Sequence, residues 1–168
     1  MKRFLLLLDG MMGVGKSTTA KIISKDLPRT ATISVDTIKN CISDFQQGPK
    51  DWIIGQEVLV EMARKFLQLN FSVIVEAVWD KRIPAYEDMA KTFSVPCYKF
   101  QLTTSQETAY QRVLERHMNS TRKRSEEHIR NTISSYTGKD NFEVIDTTNI
   151  GAEEVAKIIL ERVNNGRA

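Results

Sequence analysis

Phe4-Leu5-Leu6-Leu7-Leu8-Asp9-Gly10-Met11-Met12-Gly13-Val14-Gly15-Lys16-Ser17 is the stretch whose reading decides the fold. Its first five residues are an uninterrupted apolar run, the pattern of a strand buried on both faces of a parallel sheet. Gly10 to Ser17 then satisfies G-x-x-x-x-G-K-[ST] at every specified position. Lys16 to Lys25 follows with Ala20, Ile23 and Leu27 at helical spacing, and Pro28 marks the end of the helix. A glycine loop between a buried strand and a helix is the setting in which this motif cradles a polyphosphate. Successive backbone N–H groups turn inward around the anion, and the helix N-terminus adds a favourable dipole. The expected nucleotide-binding set is therefore Gly10, Met11, Met12, Gly13, Val14, Gly15, Lys16, Ser17 and Thr18. Lys16 is expected to reach the β- and γ-phosphates and the Ser17 hydroxyl to coordinate Mg2+.

Outward from this loop, strands and helices alternate. Ala31–Val35, Phe71–Val75, Cys97–Leu102 and Phe142–Ile145 read as further strands. Between them lie a helix Thr37–Phe45 and a long amphipathic helix Asp51–Leu69 with Asp51 as its N-cap. That helix carries the stripe Trp52, Gln56, Leu59, Met62, Ala63 and Phe66. Helices Pro84–Thr92, one opening at Thr104-Ser105-Gln106-Glu107 and running toward Arg116, and Ala152–Val163 complete the pattern. Such alternation predicts an α/β three-layer fold, a five-stranded parallel sheet with helices on both faces and a helical lid at about 112–135. No repeat or linker interrupts the 168 residues, so one domain spanning 1–168 is expected.

Composition excludes several classes. With 41% apolar and 27% charged residues the chain reads as a globular domain, and a formal net charge of +3 is too small to argue for nucleic acid. Cys41 and Cys97 stand far apart without metal-ligand spacing and read as buried free thiols. The apolar run after Met1-Lys2-Arg3 stops at Asp9, short of the roughly 7 to 15 apolar residues of a signal peptide. No segment approaches the about 20 apolar residues of a membrane span, so a cytoplasmic protein without membrane contact is expected, as monomer or homodimer.

Phosphoryl transfer needs a carboxylate near the γ-phosphate to take the proton of an acceptor hydroxyl, at the carboxyl end of a strand beside the loop strand. Asp36 meets that description, and it also suits a helix cap. Glu76, at the end of the third strand, suits Mg2+ or substrate, or an ion pair with Lys81 or Arg82; Asp9 is a weaker candidate. Arg112, Arg116, Arg122, Lys123 and Arg124 form a basic segment suited to a lid that neutralises the transferring phosphoryl group.

Taken together, the GMMGVGKS loop, Asp36, Glu76 with Arg82, the Arg112–Arg124 segment and the late strand Val144-Ile145-Asp146 resemble a group of small P-loop kinases. That group includes chloramphenicol phosphotransferase, zeta-toxin kinases and the kinase module of polynucleotide 5′-hydroxyl kinase. The resemblance implies ATP with Mg2+, Asp36 as general base, and Arg116, Arg122 and Arg124 as lid residues at the γ-phosphate. It also implies Asp146 and Thr147 near the adenine, and Asp36, Glu76 and Arg82 around a hydroxyl-bearing acceptor, a nucleic-acid end included. A glutamate at position 76 departs from the more usual aspartate. The competing expectation is a P-loop NTPase switch or regulatory module, and a nucleic-acid-binding protein with an accessory P-loop has less support.

Overall fold

The computed structural model describes residues 3–46, 48–118 and 125–166. Its five strands are β1 (Leu5–Gly10), β2 (Thr30–Ser34), β3 (Ser72–Glu76), β4 (Cys97–Thr103) and β5 (Glu143–Asp146). They form one parallel sheet in the order β2-β3-β1-β4-β5. The helices are α1 (Lys16–Asp26), α2 (Val35–Lys39), α3 (Pro49–Gln68), α4 (Ile83–Thr92), α5 (Gln106–Met118), α6 (Glu126–Ser134) and α7 (Ala152–Asn164). A short 3-10 turn, Asp80–Arg82, precedes α4.

Side chains of β1 alternate between two cores, as the pleat of a strand requires. Leu5 and Leu7 pack with Val73, Val75, α3 residues Leu59 and Leu67, and α4 residues Tyr86 and Met89. Phe4, Leu6 and Leu8 pack on the opposite face with Ile74, Phe100, α1 residues Ala20 and Ile23, and α7 residues Val155 and Ile159. A third, smaller core joins α5 to α6 through Ala109, Tyr110, Val113, Ile129 and Ile133, and Met11 and Met12 of the glycine loop pack against it. The segment 112–135, expected to be a lid, takes in the second half of α5 and all of α6.

Several boundaries differ from the sequence reading, and of the two thiols expected to be buried Cys41 is exposed just beyond α2 and Cys97 is partly exposed. β2 ends at Ser34, and the Ser34 hydroxyl caps α2 by accepting the N–H of Thr37. Asp36 therefore sits inside the first turn of α2 and is not its cap. That helix stops at Lys39 instead of Phe45, because Asn40, Ser43 and Asp44 favour local turns over helix interior. The long helix starts two residues early at Pro49, which is preorganised for a first turn. Asp51 accordingly lies within that turn, where its carboxylate accepts the N–H of Gln46.

Register places the carboxyl ends of the strands at one edge: Ser34 beside Glu76, Glu76 beside Leu8, and Gly10 beside Leu102. At Gly10 the chain leaves the sheet with φ +144°, and a Cβ there would lie 2.3 Å from the Leu102 carbonyl oxygen. Gly10→Ala is expected to destabilise the fold by about 2 kcal/mol or more through clash and strain together, a loss measurable by denaturant unfolding.

Candidate active site

The glycine loop owes its shape to residues without side chains. Gly13 and Gly15 have φ of +90° and +96°, and a Cβ on Gly13 would stand 2.4 Å from the Ala109 carbonyl oxygen of α5. Gly15 is the N-cap of α1 and offers no side-chain cap, and the first turn of that helix carries no acidic residue. The first N–H groups of α1 are thus left for an anion, and the local field favours one.

Lys16 is held above the loop by hydrogen bonds from Nζ to the carbonyl oxygens of Gly10 (2.5 Å) and Met11 (2.8 Å). Burial lowers its pKa, and the nearby carboxylates of Asp9, Glu76 and Asp36 oppose that shift. Ser17 Oγ donates a 2.6 Å hydrogen bond to Glu76 Oε2. Glu76, only 6% exposed at the end of β3, has its pKa raised by burial, which the Ser17 bond and the charge of Lys16 partly offset. A hydroxyl and a carboxylate oxygen so placed are the hard donors that Mg2+ takes when phosphates and water complete its shell. Among the described residues no cluster of three or more acidic, histidine or cysteine side chains could hold a metal ion by itself.

Asp36 projects from α2 with its side chain 77% exposed and makes a 2.9 Å ion pair with Lys39. Its charge acts on both Lys16 and Glu76, so the three groups share one neighbourhood. Arg82 is directed elsewhere. It pairs with Glu57 of α3, and Glu76 is engaged by Ser17 instead of the Lys81 or Arg82 partner that its position allowed.

On the lid side, Arg116 lies in the last turn of α5 and its charge reaches Lys16. Arg122 and Arg124 lie outside the described residues. Arg112 donates to Thr147 Oγ1 (3.0 Å) and to the Thr147 carbonyl (2.7 Å), which ties α5 to the chain leaving β5. These two residues help to wall a cavity of about 180 Å³ together with Gly13, Gly15, Thr18 and Gly151. The cavity adjoins the glycine loop. Thr147 lines it, whereas the Asp146 carboxylate is turned onto Thr148, whose N–H and hydroxyl hold its pKa below the usual range.

Gln56 was legible only as a member of the apolar stripe on α3. Its side chain is fully buried; Nε2 donates to the Ala77 carbonyl (3.1 Å) and Oε1 accepts the N–H of Trp79 (3.4 Å). It therefore holds the chain that leaves Glu76, where Ala77 adopts a positive φ of 58°. The available signal was a polar residue on a buried helical face. Asp9, Tyr136 and Lys139 form a further polar group that the sequence did not assemble.

This loop, its flanking carboxylates and the 2-3-1-4-5 sheet define a P-loop protein with the fold of P-loop kinases. The chain belongs to the family described as an AAA domain, whose profile matches residues 6–133. No curated protein matches it by sequence. Among solved structures it is similar to the APS kinase of Mycobacterium tuberculosis in complex with AMPPNP and APS, at 14% identity and TM-score 0.74, over 97% of this chain and 98% of that one. A gluconokinase from Sinorhizobium meliloti aligns at 12% identity and TM-score 0.63, over 98% and 94% of the two chains. The tunicamycin resistance protein of Deinococcus radiodurans aligns at 14% and 0.65, over 96% of each. Identities this low establish the shared fold.

Burial that raises the Glu76 pKa means the folded chain binds that proton more tightly than the unfolded chain does. Stability contributed by the protonated form is therefore present below the ordinary glutamate pKa and lost as pH rises above it. Glu76→Gln, which has no charge to bury, should raise Tm at pH 7 and show a smaller gain at pH 4, as followed by thermal unfolding at both pH values.

Proposed function

We propose that this protein is a single-domain cytoplasmic enzyme, a monomer or homodimer, that transfers the γ-phosphoryl group of ATP to a hydroxyl of an acceptor. The acceptor classes are a small molecule, a nucleoside or nucleotide, and a nucleic-acid end. The observation that carries this reading is the clustering of Asp36, Glu76 and Lys16 at the carboxyl ends of adjacent strands, around the loop that ends β1. A regulatory nucleotide switch needs no exposed carboxylate on the acceptor side of the phosphates; a transferase does.

In this reading Lys16 and the first N–H groups of α1 bind the β- and γ-phosphates, and Ser17 with Glu76 would hold a magnesium ion. That site would then supply Lewis-acid chemistry and positive charge beside the phosphates. Asp36 accepts the proton of the acceptor hydroxyl as its oxygen forms a bond to the γ-phosphorus and the bond from that phosphorus to the β-γ bridging oxygen breaks. ADP leaves with the electron pair of the broken bond. Arg116 adds positive charge beside the loop where negative charge gathers. The fold is shared by an APS kinase and a gluconokinase, so it accommodates unlike acceptors, and the walls around Asp36 select among them.

Lys16→Ala should weaken ATP binding or turnover by at least about tenfold, because it removes a charge-assisted contact worth about 1.5 to 3 kcal/mol. Retention of wild-type ATP affinity by the folded variant would refute the loop assignment.

Asp36→Asn keeps the size of the side chain while removing its basicity. Once a panel of nucleosides, sugars, antibiotics and 5′-hydroxyl oligonucleotides has identified an acceptor, kcat for transfer should fall by about 10² to 10⁴. ATP affinity and Tm should change little. Transfer at the wild-type rate would exclude Asp36 as base.

A further inference from the structure

Asp9 is an uncomfortable residue to find immediately before a phosphate loop. Its side chain is 5% exposed, so water cannot screen it, and it is the carboxylate that acts most strongly on Lys16. Left negative and alone, it would repel the polyphosphate that the loop is shaped to hold. Its partners come from distant parts of the chain. Asp9 Oδ2 accepts a hydrogen bond from the Tyr136 hydroxyl at 3.1 Å, and Lys139 Nζ lies 3.5 Å from the same oxygen.

Lys139 is itself held from three sides. Its side chain is 10% exposed, its Nζ makes a 2.5 Å ion pair with Asp80, and its backbone N–H donates to Gln101 Oε1 at 2.5 Å. Gln101 is the residue of β4 in register with Asp9. Gly138 permits the approach, since a Cβ there would already be 3.3 Å from Gln101 Nε2. The segment that leaves α6 is thus anchored to β4, to the turn after β3 and to the last residue of β1 before the loop.

We propose that Lys139 is a positioning residue for the triphosphate: it neutralises Asp9 at the base of the glycine loop, where Asp80 holds its ammonium and Gln101 its backbone N–H. This rests on the nucleotide reading given above. The loop then presents Lys16 and the α1 N-terminus to the phosphates without an opposing buried charge. Lys139 does not touch the phosphates in this account; it acts through Asp9. A merely structural bridge from Lys139 to Asp9 would hold α6 to the sheet but would not make nucleotide affinity depend on the charge of residue 9.

Calorimetric titration of the full chain with MgATP, ADP and AMP tests this. Lys139→Met should weaken ATP binding by about tenfold or more and AMP binding much less, because repulsion grows with phosphate charge. The double variant Asp9→Asn/Lys139→Met should recover ATP affinity to within about threefold of wild type, the signature of energetic coupling between the two sites. Lys139→Arg should bind ATP like wild type. A folded Lys139→Met variant with wild-type ATP affinity, or a double variant no better than the single one, overturns the proposal. Where Lys139→Met does not fold, Asp9→Asn alone decides: it retains an acceptor for Tyr136 and should bind ATP at least as tightly as wild type, and weakened binding overturns the charge argument. A wild-type chain that binds no ATP overturns the nucleotide reading and this proposal with it, an outcome distinct from the failure of Lys139 alone.

Discussion

Complete burial of β1 is the constraint from which the rest of the molecule follows. Leu5 to Leu8 have no measurable exposure, and the strand lies between β3 and β4 in the middle of the sheet. Its alternate side chains are the floor of two separate cores. A slip of one residue would exchange every one of those contacts, so the register is set without ambiguity. The glycine loop begins where this strand ends and inherits its position from the least movable element of the fold. Positive φ at Gly10, Gly13 and Gly15 lets the chain turn back over α1 while β4 and α5 press their carbonyls against it.

Against that rigid base the carboxyl edge gathers charge that burial opposes. Desolvation raises the pKa values of Asp9 and Glu76 and lowers that of Lys16, so each charged form is disfavoured by its surroundings. What keeps them together is mutual compensation: Lys139 and Lys16 beside Asp9, Ser17 and Lys16 beside Glu76. Such a cluster adds little to stability and is tolerated because the apolar cores on both sheet faces dominate folding. Ionisable groups whose pKa values burial shifts, gathered at a loop with free helix N–H groups, are the pattern of a functional site.

The parts of this arrangement that were legible in the sequence are those encoded locally. A continuous apolar run, a glycine motif and an adjacent amphipathic helix each carry their own signature, and so β1, the loop and the place of Glu76 at the end of β3 could be read directly, whereas Asp36 lies in the first turn of α2 and not at the end of β2. The end of α2 was missed although Asn40, Ser43 and Asp44 favour turns, because Ile38, Ile42 and Phe45 continue a helical apolar spacing past Lys39. Pairings across the chain were equally silent. Arg82 with Glu57, Arg112 with Thr147 and Lys139 with Asp9 join residues that the topology alone brings together. Gln56 was placed on the correct face, but its hydrogen bonds follow from the turn after β3, which no spacing in the sequence announces.

One helix sets the relation between Asp36 and Glu76. Gly55 of α3 packs so closely on α2 that a Cβ there would lie 3.1 Å from Val35 Cγ1, the residue just before Asp36. One position further along, Gln56 grips Ala77 and Trp79, just beyond Glu76. Consecutive residues of α3 thus hold the element that carries Asp36 and the chain that follows Glu76. Neighbouring helical residues point about 100° apart, which is why one can face α2 while the next faces the end of β3. The spacing of the two carboxylates is in this way a property of α3, independent of the α5–α6 pair. That pair has its own core and meets the loop through Met11 and Met12. The glycine loop lies where these two supports converge, and a change in either is felt at Lys16 through Glu76 and Asp36 on one side and Arg116 on the other.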